Sequence, residues 1–182
     1  MTTVAPTQDD VYIKLKAFLA LVVPAGVPII QGLPNRASMP PATPGFVAMT
    51  ATLLQRLRTN VDAYDDPAQP PGPPFIVGTV SAEMGAKFTV QLDFYGADSG
   101  DWATMATTLL RSAYGVEQLA PDCAPLYAED GRMAPLVDAE RQYEQRWIVG
   151  AVLQYNPVTS TPMQFAATLD VELVNVDERY PP

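Results

Sequence analysis

Two proline-rich stretches limit where this chain can form regular secondary structure. The stretch from Pro34 to Pro44 holds four prolines, and the stretch from Asp65 to Pro74 holds five prolines and a glycine. Proline has no backbone N–H to donate to a β-ladder, and its fixed φ favours turns or extended polyproline geometry. We therefore predict long loops at 33–44 and 65–74, with regular elements before, between and after them.

The residues before the first loop carry the pattern of an amphipathic helix. Thr7 and Asp10 make a T-x-x-D sequence that approximates a capping box. Pro24 and Gly26 mark the stop, so the predicted helix runs over 8–23. Its apolar face consists of residues at helical spacing, namely Val11, Leu15, Phe18, Leu19 and Val22.

A second helix is predicted after the motif Gly96-Ala97-Asp98-Ser99. Either Asp98 or Ser99 is a suitable N-cap, and Gly115 marks its end. We expect Trp102 on this helix, and Trp147 on a later strand, to be core anchors because both lie in apolar-patterned segments.

Most of the remaining chain alternates apolar and polar residues, as half-buried strands do. The predicted strands are 27–30, 46–57 continuing at 60–64, 75–80, 87–95, 143–155 and 163–176. We expect 75–80 to pair with 87–95, and the last two strands to form a long hairpin around Asn156-Pro157. The order helix, strands, helix, strands lacks a βαβ rhythm, which favours one α+β domain over 1–182, with helices packed on an antiparallel sheet.

The composition removes most catalytic chemistry. The chain has no histidine, which excludes Ser-His and Cys-His nucleophile pairs and the commonest zinc ligand. Cys123 has neither a second thiol nor a basic neighbour, so we expect a buried structural residue, folded in a reducing compartment. Neither phosphate-binding glycine loop occurs, and the acids of 98–101 lack the spacing of a calcium loop. We therefore predict no catalytic residue, cofactor or metal.

The formal net charge of −9 limits the partners. A chain this acidic does not hold nucleic acid through phosphate contacts, and an anionic membrane repels it. The N-terminus lacks the basic and apolar regions of a secretory signal, and the apolar run at 17–23 is too short for a bilayer. Two interpretations of the charge stay open: simple solubility, or an acidic wall past which DNA slides without sticking.

Three tracts follow one another along the chain. The first is Gly32-Leu33-Pro34-Asn35-Arg36 with Pro40-Pro41 and Gly45-Phe46-Val47-Ala48-Met49-Thr50, and the second is Leu92-Asp93-Phe94-Tyr95-Gly96 before a helix. The third consists of Pro125-Leu126-Tyr127, Gln142-Tyr143, Arg146-Trp147 and Gln154-Tyr155-Asn156-Pro157. Each tract alone is weakly specific, and their ordered combination resembles the phage neck terminator family.

The resemblance implies a structural virion protein of the neck, assembled in the host cytoplasm. Members of such a family have an α+β fold, here expected as a partly barrel-like sheet flanked by two main helices. The implied assembly is a homo-oligomeric ring, a hexamer, that terminates the tail tube and any sheath. The implied partners are the tail tube protein, the sheath protein of a contractile tail and the head connector, with DNA passing through the lumen without sequence-specific binding.

Four residues are candidates for the subunit or partner interface. Asn35 and Arg36 lie in the first loop, where they either contact a neighbouring subunit or shape a local turn and pair with a local acid. Arg56 and Arg58 are expected on one face of the strand from Phe46, either as a basic patch for a tail-tube subunit or the next protomer, or as solvated edge-strand charges.

Two other functions remain open from the sequence. The first is a head-completion or connector protein, or a tail-tube subunit that stacks indefinitely. The second is a soluble α+β binding module, or an enzyme that works through Asp, Lys or Tyr.

Overall fold

A computed structural model describes residues 1–32, 40–41, 43–65, 75–137 and 143–166. The helices in these ranges are α1 (Gln8–Val22), α2 (Ser99–Leu110) and α3 (Ala113–Leu119). The strands are β1 (Thr3–Ala5), β2 (Ile29–Gln31), β3 (Phe46–Arg56), β4 (Val61–Asp65), β5 (Phe75–Glu83), β6 (Ala86–Tyr95), β7 (Cys123–Ala128), β8 (Arg132–Met133), β9 (Leu136–Val137), β10 (Tyr143–Glu144), β11 (Arg146–Tyr155) and β12 (Val158–Ala166). The predicted α+β class is confirmed.

The main sheet has the strand order β2-β3-β6-β11-β7, and β8 also pairs with β11. All of these pairs are antiparallel except β2–β3, so the sheet is mixed. The central strand β6 pairs over its whole length with β11 on one side and β3 on the other. Helices pack on one face of this sheet, where the alternating residues Phe88, Val90, Leu92 and Phe94 of β6 are fully buried.

Helix α1 begins where the sequence predicts. The Thr7 hydroxyl accepts a hydrogen bond from the backbone N–H of Asp10 (3.2 Å), and the Asp10 carboxylate accepts one from the backbone N–H of Thr7 (2.7 Å). The Thr7 hydroxyl also donates to the Asp10 carboxylate (2.7 Å), and this bond, with the one from the Thr7 backbone N–H, lowers the pKa of Asp10. The predicted apolar face is the buried face, so the capping box and the helical stripe are both confirmed.

The second predicted helix is two helices. Helix α2 ends at Leu110, and α3 begins at Ala113, after a break of two residues. Gly115 lies inside α3 and does not end a helix: a Cβ there would lie 2.6 Å from the Leu109 carbonyl oxygen, so glycine allows the close approach of α2 and α3. Asp98 is the N-cap of α2, but its side chain makes no capping hydrogen bond, and the Ser99 hydroxyl donates to the Gly96 carbonyl (2.6 Å).

A second sheet, the β-arm, has the strand order β1-β12-β5-β4. Three of its strands continue three strands of the main sheet, since β3 leads into β4, β5 into β6, and β11 into β12. The ladder between β6 and β11 ends at Ala86↔Tyr155, and the ladder between β5 and β12 resumes in the same register at Glu83↔Val158. The β-arm is therefore an extension of the central strands beyond a bend.

Two predicted strand pairings are wrong because of this bend. Strand β5 does not pair with β6, and β11 does not form a hairpin with β12; in each case the two strands belong to different sheets. In each case the short segment between the two strands is a bend within one long strand. Two backbone hydrogen bonds connect neighbouring bends: Met84 N–H donates to the Pro157 carbonyl (3.0 Å), and Leu57 N–H donates to the Gly85 carbonyl (2.8 Å). Residues 167–176 of the last predicted strand lie outside the described residues, as do most of both predicted loops.

The expectation of a partly barrel-like sheet is also inaccurate. In the described ranges neither sheet closes on itself: the main sheet ends at β2 and β7, and the β-arm ends at β1 and β4. Closure would require these end strands to pair.

Candidate functional site

Of the four predicted interface residues, the described structure includes Arg56 and Arg58. Asn35 and Arg36 lie outside the described residues. Arg56 is the last residue of β3, whereas Arg58 follows the end of that strand, so the two do not share one strand face. Arg58 forms an ion pair with Glu83 of β5 and covers Gly85, where a Cβ would lie 2.7 Å from its Nε. Arg58 thus braces the bend between the two sheets.

Arg56 lines an open groove of about 510 Å³ at the same bend. The groove lies between the start of α1, the end of β3 and the base of the β-arm, and its lining includes Val4, Leu54, Met84 and Thr159. Tyr155 forms part of its floor. The Tyr155 hydroxyl donates to the Pro6 carbonyl (2.7 Å), and burial raises the pKa of this phenol.

Beside this groove, no strand of the described ranges pairs with the outer edge of β3 beyond Met49. Strand β2 pairs only with Val47–Met49, and every residue from Ala51 to Arg56 is exposed. The Tyr12 hydroxyl accepts a hydrogen bond from the Ala51 backbone N–H (2.8 Å), which satisfies one group on this edge. An open edge of this kind is a template on which another chain can add a strand.

An ion pair joins two tracts of the sequence on the face of the main sheet opposite the helices, here called the back face. Asp93 of β6 is 4% exposed, and its Oδ1 accepts from Arg146 Nε (3.0 Å) and Nη2 (2.7 Å) of β11. Gln91 Nε2 lies 3.0 Å from each carboxylate oxygen. The carboxylate therefore has donors on both oxygens, which compensates the cost of its burial.

Aromatic rings extend this cluster to β3. The Arg146 guanidinium lies 5.7 Å from the centre of the Tyr95 ring, and Tyr95 stacks on Phe46 at 4.2 Å between centroids. Burial raises the pKa of Tyr95. Gly45, at φ +115°, directly precedes Phe46, and a Cβ there would lie 2.5 Å from the Tyr95 carbonyl oxygen and 2.9 Å from the Trp102 ring. The three tracts of the sequence resemblance therefore meet in one cluster of β3, β6 and β11.

Sequence reasoning found these tracts but missed their contacts. Nothing in the pattern of β6 indicates that the Asp93 carboxylate accepts hydrogen bonds from Arg146, 53 residues later. Trp102 and Trp147 both pack in the main core, as predicted, with Trp102 3% exposed and Trp147 partly buried.

The described residues offer neither a reactive thiol nor a group of metal ligands. Cys123 is buried, and burial raises the pKa of its thiol to about 11, so the nucleophilic thiolate is scarce at neutral pH. No three His, Cys, Asp or Glu side chains in the described ranges are grouped to hold a metal ion. No helix in this part of the chain has the length and apolar character needed to cross a membrane.

The edge of β3, the back face without a described helix and the β-arm are surfaces on which other protein chains can pack, as in a subunit of an assembly. The sequence comparison identifies the assembly. A family model described as Phage neck terminator protein matches residues 9–179, and the chain belongs to that family of structural phage proteins. A search of curated proteins gives no match.

Proposed function

We propose that this chain forms a homo-oligomeric ring, a hexamer, in the neck of a tailed phage, where it ends the tail. The ring terminates the tail tube, and the sheath when the tail is contractile, and then receives the head through its connector. The observation that carries this proposal is the family match, which spans nearly the whole chain from residue 9 to 179.

The surfaces of the chain support a ring. A closed ring is built from heterologous contacts, in which one patch meets a different patch on the next copy. The described structure offers several distinct patches for this purpose: the open edge of β3, the back face of the main sheet and the β-arm.

The charge supports a passive passage for DNA. With a net charge of −9, the protein lacks the excess of Lys and Arg that binds phosphates by counterion release. The ring then lets DNA pass without holding it, and it carries out no catalysis. Its place of action is the virion.

Arg56 is the described candidate for a contact with the next subunit or with the tail tube. It lies exposed at the end of an open edge strand and borders the groove at the bend, where an acidic side chain of a partner can reach its planar guanidinium. We also keep Asn35 and Arg36 as interface candidates on the strength of their motif, and Arg58 in its bracing role beside Glu83.

Mass measurement of the purified protein tests the ring. Light scattering after gel filtration should give six times the chain mass of 19.7 kDa, with rings seen by negative-stain microscopy. Tubes of indefinite length would instead identify a tail-tube subunit, because only a terminator must present different upper and lower faces. A monomer at every concentration would contradict the ring.

A further inference from the structure

The β-arm presents one apolar face that no described residue covers. Tyr64 of β4 is 63% exposed, Val4 of β1 47% and Met163 of β12 44%. Between them stands Phe165, whose ring meets Tyr64 edge-on at 6.3 Å and lies over Gly78, where a Cβ would be 2.6 Å from the ring. These side chains project from the same side of the sheet. The registers place Tyr64 opposite Val80, and Val80 opposite Thr161, so these three residues share a face. Met163 and Phe165 follow Thr161 by two and four residues on the same strand and therefore lie on that face as well.

The β-arm buries almost nothing within the described chain. Apart from Gly78, none of its residues whose side chains are described is buried. A sheet of a few strands is stable in water only when at least one face packs on another layer. The apolar face of the β-arm therefore requires a covering surface.

The dimensions of the β-arm match part of a specific protein interface. Strands of nine residues are ~30 Å long, and three strands are ~14 Å wide, so one face covers ~400 Å². A stable interface of standard size buries ~800 Å² on each partner, so this face supplies about half of one partner's share.

The back face of the main sheet on another copy has complementary properties. Leu53 of β3 is 49% exposed there, and Ile148 and Val152 of β11 are partly buried, which gives an apolar strip. Lys87 lies on the same face, since it alternates with the buried Phe88, and Arg132 lies beside Ile148.

The apolar face and the back face carry residues of opposite charge. The registers place Asp62 of β4 in the row of Val4, on the apolar face, whereas Asp65 and Glu83 project from the other face of the β-arm and Glu83 pairs with Arg58. The back face carries Lys87 and Arg132, together with Glu129, whose carboxyl group would lie 2.7 Å from a Cβ at Gly150. Asp62 can therefore pair with Lys87 or Arg132. Opposed charges of this kind at the rim of an interface favour correct pairing between two different patches.

We propose that the β-arm of one subunit packs its apolar face on the back face of the main sheet of the next subunit. This inference rests on the proposed ring and specifies its contact. The contact is heterologous, because the arm and the back face are different surfaces. Its repetition around an axis closes a ring when the rotation between neighbouring subunits divides a full turn. The packing is of one sheet on another, with the two layers ~10 Å apart.

Two variants that each introduce a lysine test the role of the apolar face. Met163→Lys places a charge on the apolar face, whereas Val77→Lys places one on the opposite face of the neighbouring strand, where Val77 is 55% exposed. Met163→Lys should raise the protein concentration at which half of the rings dissociate by at least tenfold. Val77→Lys should change it by less than twofold. Equal effects of the two variants, or none from Met163→Lys, overturn the inference.

Cross-linking identifies the covering surface even if Met163→Lys fails to fold. A photoreactive phenylalanine analogue replaces Met163 in one isotope-labelled population, which is mixed and reassembled with unlabelled protein. The expected product joins labelled position 163 to an unlabelled peptide that contains Leu53, Ile148 or Val152. Cross-links within one copy, or to other peptides, contradict the inference without contradicting the proposed ring. A wild-type protein that never assembles contradicts both the inference and the ring.

Discussion

Removal of the Asp93 carboxylate should destabilise the protein more than any ordinary surface substitution. In Asp93→Asn the side chain keeps its shape but loses its charge, and Arg146 is left without a counter-ion at a side chain that is 23% exposed. Removing one partner of a buried ion pair costs about 3–5 kcal/mol, and the partial exposure of Arg146 places the expected loss near the lower end, about 3 kcal/mol. For a chain of this length, that loss lowers the melting temperature by roughly 6–12 °C.

A double-mutant cycle distinguishes the ion pair from general damage. Asp93→Asn, Arg146→Gln and the double variant are melted at one protein concentration, since oligomerisation makes the melting temperature concentration-dependent. The double variant should cost less than the sum of the single variants by about 1–3 kcal/mol, because the second substitution removes a charge that the first has already stranded. A loss below about 0.5 kcal/mol for Asp93→Asn, or strict additivity, refutes the reasoning.

Four further predictions concern the backbone at Gly45, the two residues of the capping box and the thiol. Gly45→Ala should cost at least about 2 kcal/mol, because φ +115° and the Tyr95 carbonyl oxygen 2.5 Å away both oppose a Cβ; an unchanged melting temperature would contradict this. Thr7→Ala should cost about 1 kcal/mol in chemical denaturation, with Thr7→Ser as the matched control that keeps the cap. Because the pKa of Asp10 is lowered from 3.8 in the folded protein, the contribution of its carboxylate to the free energy of unfolding is complete above that pH and is lost as pH falls through the folded value. Asp10→Asn should therefore reduce the loss of stability at acidic pH, and an unchanged loss would contradict this. Cys123, whose pKa is raised to about 11, should react with a thiol reagent at pH 8 only after denaturation, and rapid labelling of the native protein would show an open site.

The elements could be predicted from the sequence better than their arrangement. Helix α1 was predictable because its capping box and apolar stripe act locally, within a few residues. The strands were predictable because alternation shows in each segment by itself. Their partners were not, since a strand that bends into a second sheet keeps the same alternation as one that turns back in a hairpin, as β11 and β12 demonstrate.

The candidate surfaces were predictable only in part. The tracts around Phe46, Asp93 and Arg146 could be marked as significant, yet their meeting depends on the register of β3, β6 and β11, which no local pattern encodes. Arg58 looked like half of a basic patch, but the bend brings Glu83 to it. The apolar face of the β-arm could not be recognised from the sequence, because its exposed apolar residues alternate with polar ones in the same way as core residues do.

Electron microscopy of phage particles made without this protein tests the central claim most directly. If the chain terminates the tail, a nonsense mutation in its gene should yield full heads beside unjoined or overlong tails, and supplying the protein in trans should restore joined virions. Normal virions in the absence of the protein would contradict its assignment to the termination of the tail.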